Sequence, residues 1–200
     1  SKDSQIGRGE AVQDTARVLS RYLDGIMIRT FEQAEVEALV EYGSIPIING
    51  LTDLAHPCQI LAELMTIREY KGSLEGLRMC FIGDGNNMMN SLIVGCLKVG
   101  MSVAVACPEG YRPPQMILDF AAQYGDKFFM TDKPLEAAVD ADVVITDVWT
   151  SMGQEEEKAA REAAFAGYQV KAELMSKARS DAMVIHCLPA HREEEITAEV

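Results

Sequence analysis

The segment HCLPAHR, residues 186–192, places a thiol, a proline and several basic side chains directly after an apolar, strand-like run. Other polar groups in the same position are Arg29 after GIMI, His56 in LTDLAHPCQ, Asn86 and Asn87 after RMCFIGDG, and Asp147 after DVVIT. A cation, a histidine at a helix start, amides, a carboxylate and a thiol are suited to binding a small anion beside an amine. Ligands of open parallel sheets bind beyond the carboxyl ends of the strands, so we expect these groups to line one crevice.

Each of these groups also has a purely structural explanation when it is taken alone. Arg29 suits the end of a strand or a surface ion pair, and His56 suits a helix start in front of Pro57. The amides of GDGNN suit a strand-to-helix turn, and Cys187 suits a small buried position. Because all of these groups follow apolar runs, one shared binding site is favoured over independent structural roles for each group.

Strand-like and helix-like segments alternate along the chain, which is typical of an α/β protein with parallel sheets covered on both faces. Helices are predicted near residues 10–22, 32–42, 57–71, 87–99, 113–124, 133–140, 155–166 and 171–179. Strands are predicted in GIMIRTF, SIPIING, RMCFIGD, SVAVACP, KFFMTD, DVVITDV and AMVIHCL. The helix QEEEKAAREAAFAG is interpreted as a charged, solvated face.

A domain boundary is predicted near residues 68–76, where a long helix gives way to KGSLEG. We expect 1–70 to be the C-terminal part of one domain and 71–200 to be most of a second. Two strands are too few for an independent sheet, so the first domain is expected to be only partly present. Because SKDSQIGRGE has no initiator methionine and EEEITAEV resembles the start of a helix, we interpret the chain as an internal piece of a longer protein.

Composition and charge argue against several classes of protein. Asp and Glu outnumber Lys and Arg by 31 to 18, and the formal charge of −13 disfavours a nucleic-acid partner. No apolar run approaches the roughly 20 residues that a membrane span requires, so no membrane partner is expected. The five cysteines are odd in number and lack C-x-x-C spacing, which favours a reducing compartment, the cytoplasm first, over a disulfide framework.

Two cofactor hypotheses fail on residue spacing, so no cofactor and no metal are expected. FIGDGNNM resembles a dinucleotide-binding turn, but Met88 occupies the place of the third glycine and opposes close helix packing there. His186, Cys187 and His191 suggest a metal site, but neighbours in a strand point to opposite faces, which makes joint ligation awkward.

The motifs also resemble a known family in order and spacing. The matching segments are RGEAVQDTARVLSRYLDGIMIRTF, SIPIINGLTDLAHPCQILAELMTI, FIGDGNNMMNS, DVWTSMGQE and HCLPAHR, and they cover essentially all 200 residues. They are similar to the aspartate/ornithine carbamoyltransferase superfamily, specifically its ornithine branch. HPCQ marks the superfamily, whereas Asp147 with SMG and the Cys187 motif separate the ornithine branch from the aspartate branch, where His-Pro-Leu-Pro-Arg is expected. The resemblance implies that superfamily's fold of two doubly wound parallel-sheet domains.

The resemblance implies two substrate sites and no cofactor. It assigns carbamoyl phosphate to Arg29, His56, Pro57, Cys58, Gln59, Cys187 and Leu188, and L-ornithine to Asn87, Asp147, Ser151 and Met152. Arg29, His56 and Cys187 are the implied catalytic residues. The implied reaction transfers the carbamoyl group to the side-chain amine of ornithine and yields citrulline and phosphate. A homotrimer or larger homo-oligomer is also implied.

This chain departs from the superfamily pattern at both ends. The Ser-Thr-Arg-Thr phosphate loop and an arginine near the C-terminus are absent, so we expect residues 1–200 alone to lack turnover. The remaining alternatives are a sister carbamoyltransferase acting on putrescine or an acylated ornithine, and a non-catalytic scaffold domain. DVWTSMG, which suits both ends of a free α-amino acid, argues against the sister enzymes.

The Leu188–Pro189 bond is predicted to be cis. The Leu188 carbonyl has to turn towards the carbamoyl group while Cys187 faces the amine, and such a reversal at a strand end is a place where cis proline recurs. The cis form costs about 0.5–1 kcal/mol before proline, against roughly 3 kcal/mol elsewhere.

Overall fold

The computed structural model describes residues 9–150 and 155–200, and it confirms the predicted α/β class. Each predicted strand and each of the numbered helices predicted above has a counterpart in these residues. The chain forms two compact units, one ending at Cys58 and the other comprising Gln59–Val200. This division falls inside the helix that follows His56, whereas the predicted domain bounds of 1–70 and 71–200 stay a prediction.

In the described residues from 9 onward, the first unit contains a parallel pair of strands and two complete helices. Its elements are α1 (Val12–Leu19), β1 (Ile26–Arg29), α2 (Gln33–Tyr42) and β2 (Ile47–Leu51). Ala16 of α1 and Val36 and Leu39 of α2 are buried and supply the apolar contact of this unit. The register of β1 against β2 shifts between Ile28 and Arg29, so the strand pairing becomes irregular where the predicted cation lies.

The second unit is built on a parallel sheet. Helix α3 (Pro57–Lys71) leads into β3 (Arg78–Ile82), α4 (Asn87–Lys98), β4 (Ser102–Ala106), α5 (Gln115–Ala122), β5 (Phe128–Thr131), α6 (Pro134–Ala137), β6 (Val143–Thr146), α7 (Lys158–Phe165), α8 (Ala172–Met175) and β7 (Met183–His186). None of the helices in the described part of the chain has the length and apolar content to span a bilayer.

The strand order of this sheet determines where a ligand can bind. Within the described residues the order is β5-β4-β3-β6-β7, and every pair is parallel. The chain moves outward from β3 to β5 and then returns to the other side of β3 with β6. The reversal point therefore lies between β3 and β6, where the two connections leave in opposite directions and open a crevice.

Side chains of β3 alternate between two apolar layers, one on each face of the sheet. Met79 and Phe81 belong to the layer that also contains residues of α3, α4 and α5. Cys80 and Ile82 belong to the opposite layer, with Phe165 of α7. All of these side chains are buried, as the continuous apolar run RMCFI predicts for a sheet covered on both faces.

The turn after β3 depends on a glycine for close backbone approach. A Cβ atom on Gly85 would lie 2.5 Å from backbone atoms of Tyr111, Arg112 and Pro113. Real Cβ atoms do not approach a backbone this closely, so the turn fits only glycine at position 85. Met88, in the place of a third glycine, is buried in the core.

Two expectations for the C-terminal third are wrong. The residues EEEITAEV form turns and isolated bridges to Val170 and Arg192 rather than a helix, because Glu195 is buried and hydrogen-bonded in a compact loop. The face of α7 is not uniformly solvated, since Arg161 and Phe165 are buried. In both cases a long-range partner overrides the local charge pattern.

We predict that Gly85→Ala lowers the free energy of unfolding of the intact protein by about 2–3 kcal/mol, because the added methyl group displaces the backbone at 111–113. Gly110→Ala is the control, since a Cβ at Gly110 has no neighbour within 4 Å. Urea denaturation of both variants checks this. Equal midpoints for the two variants would contradict the close approach.

Candidate functional site

Asp147 is the centre of a hydrogen-bonded group at the reversal point of the sheet. It directly follows β6, and its side chain is buried, with 6% of the residue exposed. Its Oδ2 accepts from Asn86 Nδ2 at 2.9 Å, and its Oδ1 accepts from the Val148 N–H at 2.8 Å and from Cys187 Sγ at 3.0 Å. The carboxylate therefore joins the carboxyl ends of β3, β6 and β7. These donors offset the free energy that burial of a charge costs.

Asn86 connects this carboxylate to helix α4. Its backbone is extended at the N-cap position, and its Oδ1 accepts from the N–H groups of Met88 and Met89. Because Oδ1 is held by the helix, the amide nitrogen of Asn86 is directed at Asp147. A substrate role was predicted for Asn87, the next residue, whereas Asn86 was interpreted only as part of a turn.

Cys187 carries a protonated thiol. Burial is the largest cause that raises the pKa of Cys187, and the Asp147 carboxylate raises it further through its charge and by accepting the S–H bond. At neutral pH the group is therefore a hydrogen-bond donor next to a carboxylate, not a thiolate. A protonated thiol is not the nucleophilic form of cysteine, so the geometry does not indicate a covalent intermediate on sulfur.

The turn after β7 confirms the prediction for Pro189, because the Leu188–Pro189 bond is cis. Leu188 itself has a φ of 60°, in the left-handed region that a branched side chain rarely adopts. Its N–H donates to His186 Nδ1 at 2.8 Å, so the last residue of the strand holds the backbone of the turn. Unusual backbone conformations of this kind concentrate at ligand sites.

Glu195 fixes the orientation of His186. The carboxyl group lies 2.9 Å from His186 Nε2 and also accepts from the His191 N–H at 2.6 Å. Because Nδ1 accepts from Leu188, Nε2 is the nitrogen that carries the proton towards Glu195. Burial favours a higher pKa for Glu195, but the hydrogen bonds from His186 and His191 outweigh it, and the pKa is lowered overall. Glu195 is thus a buried carboxylate that supports the Leu188 turn.

An ion pair holds the loop that follows β6. Arg161 Nη1 donates to Asp84 Oδ2 at 2.7 Å and to the Trp149 carbonyl at 2.9 Å, and both side chains of the pair are more than nine-tenths buried. The Arg161 guanidinium also lies over the Tyr111 ring, 4.9 Å from its centroid. Helix α7 therefore anchors residues on both sides of the reversal point.

Glu63 is a further carboxylate close enough to Asp147 to interact with it electrostatically, and it was not among the predicted site residues. It is 3% exposed and accepts from Gln59 Nε2 at 3.1 Å, one turn earlier on α3. Burial raises the pKa of Glu63 to about 7; the hydrogen bond from Gln59 opposes this rise, whereas the negative charge of Asp147 adds to it. Ile60, Glu63, Leu64 and Ile67 are buried at the spacing of one helix face, so a glutamate within an apolar stripe was the available signal.

The first unit contains four of the residues predicted to bind carbamoyl phosphate, and Gln59, Cys187 and Leu188 belong to the second unit. Arg29 ends β1 with an exposed side chain, and His56 precedes α3 with a half-buried one. Pro57 is the first residue of α3, as predicted, and Cys58 is exposed and donates to the Asn49 carbonyl at 3.3 Å. The N-terminus of a helix is in general a suitable place for an anion, and α3 begins at these residues.

The second unit brings Asp147 and Cys187 into direct contact and places Asn87 at the first position of α4. Ser151 and Met152, the other predicted ornithine residues, lie outside the described residues. Roles for all of the predicted site residues therefore remain predictions, although the geometry around Asp147 is now defined.

One expectation about metal ligation needs correction. The ligand atoms of Asp147, His186 and Cys187 lie within 4.8 Å of one another, although residues 186 and 187 were expected to diverge. The reason is that β7 ends at His186, so Cys187 belongs to the turn and not to the alternating strand. Both ring nitrogens of His186 already take part in hydrogen bonds, and ligation by this histidine would break one of them.

This fold and its motifs define the family. The family model for the carbamoyl-P binding domain of aspartate/ornithine carbamoyltransferase matches residues 1–69, and the model for its Asp/Orn binding domain matches residues 75–200. The chain belongs to the aspartate/ornithine carbamoyltransferase family.

Within this family, the chain is similar to several ornithine carbamoyltransferases. The chain is 56% identical over 202 residues to an ornithine carbamoyltransferase of Carboxydothermus hydrogenoformans, covering 99% of this chain and 65% of that protein. It is 54% identical over 203 residues to one of Bacillus subtilis, covering 100% and 64%. The structure of ornithine carbamoyltransferase from Pyrococcus furiosus superimposes with a TM-score of 0.93 at 48% identity, covering 100% of this chain and 65% of that one. The chain thus spans slightly less than two thirds of the length of these relatives.

We predict that Glu195→Gln destabilises the intact protein by about 2 kcal/mol at pH 7, because a charged acceptor of two hydrogen bonds is lost. A carboxyl whose pKa is lowered by folding stabilises the folded state above its unfolded pKa and loses this effect as the pH falls through the folded pKa. The difference between wild type and variant should therefore shrink below about pH 4.

Denaturation midpoints measured from pH 3 to pH 8 check this prediction. Glu194→Gln is the control, since Glu194 is partly exposed and its pair with Lys158 lies at the surface. A difference between wild type and Glu195→Gln that stays constant over the whole range would contradict an ionised Glu195.

Proposed function

We propose that the protein containing this chain is an ornithine carbamoyltransferase. It transfers the carbamoyl group of carbamoyl phosphate to the side-chain amine of L-ornithine, giving L-citrulline and phosphate. The observation that supports this most strongly is the contact between the buried Asp147 carboxylate and the protonated Cys187 thiol at the reversal point of the sheet. A carboxylate can bind the α-amine of an amino acid, and a neutral thiol beside it can contact a second amine. This pair therefore suits a diamino acid whose second amine is the nucleophile.

Carbamoyl phosphate has a resonance-stabilised carbonyl and an anionic leaving group, so cationic donors must hold the phosphate while another group polarises the carbonyl. We assign the phosphate to Arg29 and the N-terminus of α3, with Pro57 and Cys58 in its first turn. We assign the carbonyl oxygen to His56. Gln59 and the Leu188 carbonyl bind the carbamoyl amine and thereby fix the face that is attacked.

Ornithine is assigned to the second unit. Asp147 and Ser151 bind its α-amine, and Asn87 and the Met152 backbone bind its α-carboxylate. Its side-chain amine, with a pKa near 10 in water, must lose a proton before it attacks, and a desolvated position favours that loss. Nitrogen then bonds to the carbonyl carbon, the carbon–oxygen bond to phosphate breaks, and the nitrogen loses a second proton. Cys187 orients the amine or exchanges its proton.

The proposed function also implies an assembly, a cellular compartment and a metabolic role. We propose a homotrimer or larger homo-oligomer, a cytoplasmic location, and a role in arginine metabolism. Residues 1–70 would belong to the carbamoyl phosphate domain and 71–200 to the ornithine domain. No cofactor is required, because the leaving group of carbamoyl phosphate is already activated.

Citrulline formation by the intact protein is the direct test of this function. Ornithine, putrescine and aspartate are supplied side by side with carbamoyl phosphate, and each carbamoylated product is quantified. Ornithine should be preferred over putrescine by about 100-fold or more, because putrescine lacks both α-groups. Equal use of putrescine, or turnover of aspartate alone, would overturn the assignment.

We predict that Asp147→Asn lowers kcat/KM for ornithine by about 100-fold or more, because it removes a charged partner of the α-amine. Carbamoyl phosphate binding should change by less than about threefold, since this substrate has no cation for Asp147 to bind. Initial-rate kinetics with each substrate varied in turn check this, with the exposed Asp119→Asn as the control. An equal loss for both substrates contradicts the assignment.

Arg29→Ala should weaken carbamoyl phosphate binding, because an ion pair with the phosphate is lost. The loss should be about 2–5 kcal/mol if the bound phosphate takes the exposed arginine out of water. Arg21→Ala, which removes another exposed arginine of the same unit, is the control. Isothermal titration of the intact protein measures both. An unchanged affinity of Arg29→Ala for carbamoyl phosphate would contradict a role of Arg29 in phosphate binding.

A further inference from the structure

Glu63 is a buried carboxylate in a position where the helix pattern calls for an apolar side chain. Its neighbours on the same face of α3 are Ile60, Leu64 and Ile67, and all four residues are buried. Burial of an ionisable group costs free energy unless it is paired. Among the described residues no cation pairs with Glu63, and its Oε2 is buried without a hydrogen-bond partner. Its position is therefore not explained by stability.

The hydrogen bond that Glu63 makes fixes the orientation of another side chain. Gln59 Nε2 donates to Glu63 Oε1 at 3.1 Å. A carboxylate has only acceptors, so an ionised Glu63 requires the amide of Gln59 to present its NH₂ group and to direct its oxygen away. In the described part of the chain, no side-chain hydrogen bond occupies that oxygen.

We propose that Glu63 is a positioning residue that orients Gln59 so that its amide oxygen accepts a hydrogen bond from the carbamoyl NH₂ group. This role rests on the proposed function, in which Gln59 binds the carbamoyl amine. With its oxygen outward, Gln59 distinguishes a carbamoyl group from an acyl group that carries a methyl in place of NH₂. A rotated amide would present its own NH₂ to the substrate and lose that distinction.

The protonation state of Glu63 controls this orientation. Burial is the largest cause of its raised pKa of about 7. The other titratable groups that interact with it electrostatically are Asp147 after β6, His186 and Cys187 at the end of β7, and Cys96 of α4. Above pH 7 Glu63 is ionised and accepts from Gln59. Below pH 7 the protonated group can donate as well, so both orientations of the Gln59 amide become accessible.

Two stable phosphonates isolate the contact with the carbamoyl NH₂ group. Carbamoylmethylphosphonate carries an amide, and 2-oxopropylphosphonate replaces its NH₂ by a methyl group. Both have the same charge and nearly the same titration, so the ratio of their dissociation constants cancels effects on the phosphate site. Isothermal titration of the intact wild-type protein at pH 8 should give about tenfold tighter binding of the amide, the size expected for one hydrogen bond.

Glu63→Gln keeps the shape of the side chain but both donates and accepts, so it no longer fixes the Gln59 amide. In this variant the ratio should fall from about tenfold to about twofold. The wild-type ratio should fall similarly between pH 8 and pH 6, whereas the ratio of the variant should stay constant. Glu37→Gln is the matched control, because Gln33 and Glu37 form an exposed pair with the same spacing.

The outcomes separate this role from the proposed function. If the wild-type protein binds the amide about tenfold more tightly and Glu63→Gln retains that ratio, the role of Glu63 is overturned and the function stands. Equal weakening of both phosphonates in the variant also overturns it, since that indicates a structural effect. If the wild-type protein binds neither phosphonate and forms no citrulline, both are overturned.

Discussion

The interaction on which this site depends is the burial of the Asp147 carboxylate between three strand ends. A charged group at the end of an apolar strand is stable only if donors converge on it. Asn86 supplies one from the end of β3, Val148 supplies one from the chain itself, and Cys187 supplies one from the turn after β7. The same carboxylate raises the pKa of Cys187, which keeps the thiol protonated. The positions of these donors, the negative charge of the site and the protonation of Cys187 therefore all depend on the buried Asp147 carboxylate.

The surrounding buried charges keep this arrangement in place. Arg161 ties Asp84, after β3, to the carbonyl of Trp149, after β6. Glu195 holds His186, which in turn holds the Leu188 turn. Arg161 and Asp84 are distant in sequence, whereas Glu195 lies only nine residues after His186. Helix α7 and the last residues of the chain are therefore part of the support of the site. Because these groups are buried and hydrogen-bonded, their removal is expected to disturb the site and the stability together.

The sequence was informative where motifs carry the chemistry and uninformative where a partner is remote. Asp147 and Cys187 were predictable because each ends an apolar run with a polar group in a recognisable motif. Their mutual contact required the strand order, which places β7 beside β6 and which no local pattern states. Glu195 was misjudged as part of the start of a helix, because no local pattern shows that its carboxylate is buried against His186. The capping role of Asn86 was missed because two adjacent amides do not reveal which one caps the helix. The substrate role of Asn87 comes from the family resemblance and stays a prediction.

Binding of L-norvaline and of pentanoate most directly tests whether Asp147 recognises the α-amine of the acceptor. The two ligands share a carboxylate and an alkyl chain and lack the reacting amine, and only norvaline has an α-amine. Isothermal titration of the intact protein, saturated with carbamoylmethylphosphonate, measures both dissociation constants. We expect norvaline to bind about 100-fold more tightly than pentanoate, because only its ammonium group pairs with the buried carboxylate. Affinities within about threefold of each other would contradict that assignment.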